Sequence, residues 1–127
     1  MIVRSLSDLL GTAREVDWGN GSSRRFLIAN DNMKFSLTDT IVKAGSRSLL
    51  EYRNHLEACY CISGKGEIED ASTGERHEIT PGTMYALDKH EAHYLIAKDE
   101  LRLVCVFSPP LRGDESHRLA GSQSSSY

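Results

Sequence analysis

The sequence predicts an all-β domain, a closed barrel or double-sheet jelly roll, preceded by one short helix. Three observations lead there. Short runs rich in β-branched, aromatic and other apolar residues recur from residue 24 to residue 107. Clusters of Gly, Pro, Asn, Asp and Ser separate them at short intervals. No long segment between them carries the apolar repeat of an amphipathic helix. Many short strands at this spacing bury their apolar sides only by closing on themselves or by stacking as two sheets.

The helix signal comes first. Ser5 and Asp8 stand at capping-box spacing, Leu6, Leu9 and Leu10 supply one apolar side, and Gly11 is a natural stop. Residues 12–23 are polar and glycine-bearing, which predicts a loop. Strands follow over Arg24–Ala29, Phe35–Val42, Ser48–Arg53, Leu56–Ser63, Gly66–Asp70, Glu75–Ile79, Thr83–Leu87, Ala92–Ile96 and Leu101–Phe107. Turns between them are marked by Asn30-Asp31-Asn32, Ala44-Gly45-Ser46, Ser63-Gly64-Lys65-Gly66, Ser72-Thr73-Gly74 and Pro81-Gly82. Beyond the last strand, Pro109-Pro110 is stiff and Gly113 flexible, a pattern that suits a flap over the barrel mouth. The barrel with this lid is expected over residues 1–118, and the Ser-rich residues 119–127 read as a disordered tail.

Strand parity adds detail, because alternate side chains face opposite sides. Over Leu56–Ser63, Glu57, Cys59 and Cys61 share one face and Leu56, Ala58, Tyr60 and Ile62 the other. Over Leu101–Phe107, Leu101, Leu103, Cys105 and Phe107 oppose Val104 and Val106. Both faces are largely apolar. A barrel interior accounts for one, and a second copy of the chain is the economical cover for the other, so a homodimer is expected.

Composition limits the function. A chain of 127 residues suits one domain with its own core. Its net charge of −3 offers no broad basic surface, so neither nucleic acid nor an anionic membrane is an expected partner. The longest fully apolar run, Leu103–Phe107, falls far short of the ~20 residues that span a bilayer. Met1 leads into Ile2-Val3-Arg4-Ser5 without an apolar signal core, and a cytoplasmic location is expected. Cys59, Cys61 and Cys105 form no C-x-x-C pair and are odd in number, which predicts reduced, buried thiols.

Two patches carry the chemistry. Asn54-His55-Leu56-Glu57 runs towards Ser63-Gly64-Lys65-Gly66, and Pro81-Gly82-Thr83-Met84-Tyr85 runs through Asp88-Lys89-His90 to His93. Together they resemble the two halves of a cupin, with H-x-H replaced by His55-x-Glu57, whose members are expected on one strand face. A strand from each half would bring Glu57, Tyr85 and His93 together inside the barrel. Two oxygen donors and one nitrogen suit a first-row divalent ion such as Fe(II), Mn(II) or Zn(II). An inward Glu57 between Leu56 and Ala58 needs a partner or a metal in any case. His77 and His90 read as surface or satisfied residues.

The resemblance sharpens over the whole chain. Met1-Ile2-Val3-Arg4, Asn54-His55-Leu56-Glu57-Ala58, Gly64-Lys65-Gly66-Glu67-Ile68-Glu69, residues 81–90 and Leu101-Arg102-Leu103-Val104-Cys105-Val106-Phe107 closely resemble the ectoine synthases, over about residues 1–117. The resemblance implies a dimeric cupin that cyclises N-γ-acetyl-L-2,4-diaminobutyrate to ectoine with loss of water. It implies iron ligands at Glu57, Tyr85 and His93. It also implies substrate-contacting and catalytic residues at Arg25, Thr40, Tyr52, Cys105, Phe107, Glu115 and His117. Arg25, Thr40 and Tyr52 would hold the substrate, Phe107 would wall its methylenes, and Cys105 would line the pocket. Glu115 and His117 would share the proton transfers.

Three departures fall on the substrate side. A tryptophan common in the family near position 21 is replaced by Gly21, with Trp18 the only tryptophan. Leu37-Thr38 stands where Phe-His is expected, and the acidic ending after His117 gives way to Arg118-Leu119-Ala120 and serines. They leave open a paralogue acting on a related acylated diamine. The rival from another class is a non-catalytic cupin that binds a small zwitterion; Glu115 and His117 beside the metal triad count against it.

Overall fold

The computed structural model describes residues 1–116 and residue 127. Helix α1 (Leu6–Leu9) is followed by strands β1 (Glu15–Asp17), β2 (Ser22–Leu27), β3 (Ser36–Val42), β4 (Arg47–Leu50), β5 (Leu56–Ser63), β6 (Gly66–Asp70), β7 (Arg76–Ile79), β8 (Met84–Leu87), β9 (His93–Ala97) and β10 (Leu101–Ser108). The strands form a six-stranded sheet, β1-β2-β3-β10-β5-β8, and a four-stranded sheet, β4-β9-β6-β7. This is the all-β, double-sheet cupin architecture expected. No helix among the described residues is long and apolar enough to cross a membrane.

Local chemistry explains the boundaries. The Ser5 N–H donates to Asp8 Oδ2 at 2.7 Å, which caps α1, and Gly11 leaves the helix at φ +75°. The turn from β5 to β6 requires glycine: a Cβ on Gly64, at φ +91°, would lie 2.1 Å from the Glu100 carbonyl oxygen. Strand β1 falls where a loop is expected. It is short and two of its three residues are acidic, so it carries no apolar alternation. Its anchor is polar: Glu15 accepts from the Gly11 N–H and the Ser22 hydroxyl, and pairs in register with Arg24. Strand β4 ends at Leu50 rather than Arg53, because Tyr52 leaves the ladder and turns inward, its carbonyl held by His90 Nδ1 at 2.7 Å.

The core lies between the sheets and includes Val42, Leu50, Ile68, Ile79, Leu95, Leu101 and Leu103. Parity holds on both central strands: Glu57, Cys59 and Cys61 of β5 and Leu103, Cys105 and Phe107 of β10 are buried. Leu56, Tyr60 and Ile62 of β5, Met84 of β8 and Val106 of β10 are exposed on the outer face of the six-stranded sheet. The register then sets residues far apart in sequence side by side. Arg25 pairs with Thr38, Thr38 with Cys105, Cys105 with Cys59, and Cys59 with Tyr85. One rung across five strands thus carries five residues of the interior.

Candidate active site

The interior face of that rung and its neighbours encloses a cavity of about 30 Å³, lined by Thr40, Tyr52, Glu57, Tyr85, Cys105 and Phe107, with Trp18, Cys59 and Tyr127 beside them. Six residues expected from the sequence therefore share one cavity. Tyr52 organises its aromatic part. Its ring lies 5.5 Å from His93, 5.3 Å from Phe107 and 5.0 Å from Tyr127, centroid to centroid.

Among the described residues, three buried side-chain atoms lack hydrogen-bond partners: Glu57 Oε1, His93 Nε2 and Arg25 Nη1. Glu57, on β5 and only 5% exposed, has no hydrogen-bond partner for Oε1. Burial pushes its carboxyl up to about 8, against a smaller downward pull from the Cys59 and Cys105 thiols. His93, at the start of β9 in the opposite sheet, bonds through Nδ1 to the Glu91 carbonyl at 2.9 Å. A carbonyl only accepts, so Nδ1 carries the proton and Nε2 keeps its lone pair. That Nε2 is buried and has no hydrogen-bond partner, and burial lowers the pKa of the ring, which favours the neutral form. A backbone carbonyl fixing one ring nitrogen is the usual support for a histidine whose other nitrogen meets a metal. Tyr85 is half-buried on β8, where burial and the nearby Cys59 and Glu57 push its phenol up. Among the described residues, Glu57, Cys59 and Cys105 also bring one ligand atom each within 4.8 Å of one another. The interior can therefore offer a metal ion hard donors and soft ones around the same carboxylate.

The other end of the site is built on Arg25, which is completely buried on β2. Its Nε donates to Ser23 Oγ at 3.1 Å, and its Nη2 donates to the Glu115 carbonyl at 2.5 Å and to the Tyr127 phenol at 2.7 Å. Nη1 lies 3.6 Å from Glu115 Oε1. Glu115 is only 1% exposed, not a solvated tail residue. Its oxygens accept from the Arg112 N–H at 2.8 Å and the Gly113 N–H at 2.9 Å. Tyr127 was not singled out by the sequence reading, yet its ring is 4% exposed, packs on Tyr52 and Phe107, and lies 5.6 Å from the Arg25 guanidinium. Residues 119–126 of the expected tail, and His117, lie outside the described residues.

The departures find local explanations. A Cβ on Gly21 would sit 1.8 Å from the Ile41 carbonyl oxygen and 2.9 Å from Trp18 Nε1. The Trp18 indole, 3% exposed, donates to that same carbonyl at 2.9 Å and lines the cavity. A tryptophan thus reaches the pocket from position 18, and the backbone here leaves no room for a side chain at position 21. Thr38 takes part in the interior rung, its hydroxyl 3.2 Å from that of Thr40. His55, like Glu57, is buried, and its ring lies 6.0 Å from that of Phe107. The residue precedes β5, and its Nδ1 donates to the Pro109 carbonyl at 2.6 Å, fixing the start of the segment that carries Glu115.

Comparison with known proteins agrees with this architecture. The family model described as ectoine synthase matches residues 1–126. The L-ectoine synthase of Desulfatibacillum aliphaticivorans is 58% identical over 119 residues, covering 92% of each chain. The crystal structure of an ectoine synthase from P. lautus superposes with a TM-score of 0.85 at 53% identity, covering 89% of this chain and 81% of that one. An RmlC-like cupin from Shewanella frigidimarina, at 18% identity, shares the fold with a TM-score of 0.62 over 75% of this chain and 82% of its own.

Proposed function

The chain belongs to the ectoine synthase family, and from that premise we propose that it closes N-γ-acetyl-L-2,4-diaminobutyrate to ectoine with one divalent ion, Fe(II), held in the barrel. As a member it is a hydro-lyase, and the non-catalytic alternative falls away. One observation supports the ion: Glu57 Oε1 and His93 Nε2 are both buried and lack hydrogen-bond partners. An anionic oxygen and an imidazole lone pair without partners are costly unless a ligand meets them, and a divalent cation meets both. With the Tyr85 phenol they would hold the ion; bound there, it supplies a Lewis acid able to polarise an amide carbonyl. Mn(II) and Zn(II) suit the same donors.

The remaining work falls to the chain itself. Ring closure is first an orientation problem, since the attacking α-amine and the acetyl carbonyl belong to one flexible molecule. Arg25 takes the substrate carboxylate at Nη2, displacing the Tyr127 phenol. Thr40 and Tyr52 fold the substrate chain, Phe107 packs on its methylenes, and Cys105 lines the floor. Burial holds the Tyr52 phenol in its protonated form, which makes it a donor to the departing hydroxyl. His117, two residues beyond Glu115, receives the amine proton. Glu115, expected to share that transfer, positions Arg25 instead, because both of its oxygens are engaged by main-chain N–H groups.

Chelator-stripped protein given Fe(II) and the substrate is expected to form ectoine. Glu57→Ala and His93→Ala are expected to lose most bound iron by metal analysis. Full iron content in both variants overturns the ligand assignment, whereas full iron without product overturns the substrate. The exposed outer face of β5, β8 and β10 is assigned to a homodimer contact in the cytoplasm. Light scattering at micromolar concentration should give twice the chain mass, and a monomer would defeat that assignment.

A further inference from the structure

Cys59 and Cys105 have no role in proton transfer or metal binding as assigned above, yet they face each other across the cavity floor. They are direct register partners on the antiparallel strands β5 and β10. Directly opposed residues of such strands have Cα atoms about 4.5–5.5 Å apart, inside the ~4.4–6.8 Å that a disulfide bridges. Their Sγ atoms are 3.0 Å apart, and both thiols are free. The third cysteine is engaged elsewhere: Cys61 Sγ donates to the Ser63 carbonyl at 3.4 Å, and its register partner on β10 is Leu103. Both Cys59 and Cys105 line the cavity, so a small oxidant entering it meets them without unfolding of the sheet. We propose that Cys59 and Cys105 are an oxidation site, closing to an intramolecular cross-strand disulfide when hydrogen peroxide enters the barrel.

The step balances. One sulfur attacks the peroxide, an S–O bond forms as the O–O bond breaks, and a sulfenic acid and one water result. The second sulfur displaces the hydroxyl, an S–S bond forms as the S–O bond breaks, and a second water leaves. The two thiols lose two electrons, the peroxide gains them, and both thiol protons end in water. Burial pushes the Cys59 thiol up, which makes the reaction slower than at an exposed thiolate. The crosslink withdraws from Glu57 both S–H groups that face it.

The test uses the full-length folded protein with and without hydrogen peroxide, followed by denaturation and thiol counting. Free thiols are expected to fall from three to one per chain, and a reducing agent should restore them. Trypsin digestion without reduction should join residues 54–65 to residues 103–112. Because the first peptide holds both Cys59 and Cys61, Cys61→Ala should keep the crosslink and Cys59→Ala should abolish it. Thiols that stay at three, or that are lost to sulfinic and sulfonic acids without the peptide pair, overturn the proposal, as does a crosslink that survives Cys59→Ala. The wild-type digest decides the matter even if a variant does not fold.

Discussion

Arg25 and Glu57 sit on the inward face of the same sheet, with β3 and β10 between their strands. Arg25 meets the Glu115 carbonyl, the Tyr127 phenol and, at 3.6 Å, the Glu115 carboxylate, which is itself held by two main-chain N–H groups. Glu57 faces thiols and phenols, and its Oε1 has no hydrogen-bond partner. A buried charge paired within the chain has most of its desolvation offset by the fold, although Arg25 Nη1 has no hydrogen-bond partner and stays open to a ligand. A buried carboxylate that is not answered marks a place where something else is meant to bind. The two ends of one cavity should therefore respond in opposite ways to the loss of a charge.

The largest effect is expected at the answered end. Arg25→Ala removes the buried guanidinium that faces the Glu115 carboxylate, and should cost about 3–5 kcal/mol of stability by chemical denaturation. A cost below about 1 kcal/mol would show that the Arg25 cluster is not a scaffold and would dissolve the contrast.

Glu57 should behave in the reverse sense in metal-stripped protein. With a carboxyl pushed from 4.5 to about 8, the folded state binds more protons than the unfolded state between those values. The contribution of Glu57 is thus fully present below about 4.5 and lost as pH rises through about 8, so melting temperature should fall across that window. Glu57→Gln should flatten the slope and stabilise the metal-stripped protein above pH 8 by about 1–3 kcal/mol. An unchanged slope in Glu57→Gln would assign the pH dependence to another group.

The same contrast explains what could be read from the sequence. Strand order in sequence, turns and the inward face of β5 and β10 follow from local signals: alternation, glycines such as Gly64, and the Ser5–Asp8 cap. The isolation of Glu57 was legible too, since parity alone sends it inward. What depends on a return of the chain was not. Glu115 reads as part of a flap, but its place beside Arg25, 90 residues earlier, depends on how the segment after β10 folds back. Trp18 reads as a loop residue because its contact is the carbonyl of Ile41, across the sheet. The pairing of Cys59 with Cys105 follows from a register that no single strand encodes.

The smallest effect is expected from Tyr127, which gives no signal beyond being an aromatic residue after a serine run. With its ring in place the cavity measures about 30 Å³, whereas pockets for small-molecule ligands run to ~300–1,000 Å³. Its phenol also occupies Arg25 Nη2, the donor assigned to the substrate carboxylate. Tyr127 and substrate therefore compete for one guanidinium and one volume. Tyr127→Ala should lower KM severalfold, about 1 kcal/mol of binding, and leave kcat nearly unchanged, because no proton or metal donor is removed. The lost aromatic contacts with Tyr52 and Phe107 should lower the melting temperature slightly, as each such pair is worth about 0.5–1.5 kcal/mol. A KM that stays the same would mean that Tyr127 leaves the barrel at no cost before substrate arrives. A KM that rises would mean that the ring is a wall of the substrate site, and that Arg25 needs the phenol to hold its orientation.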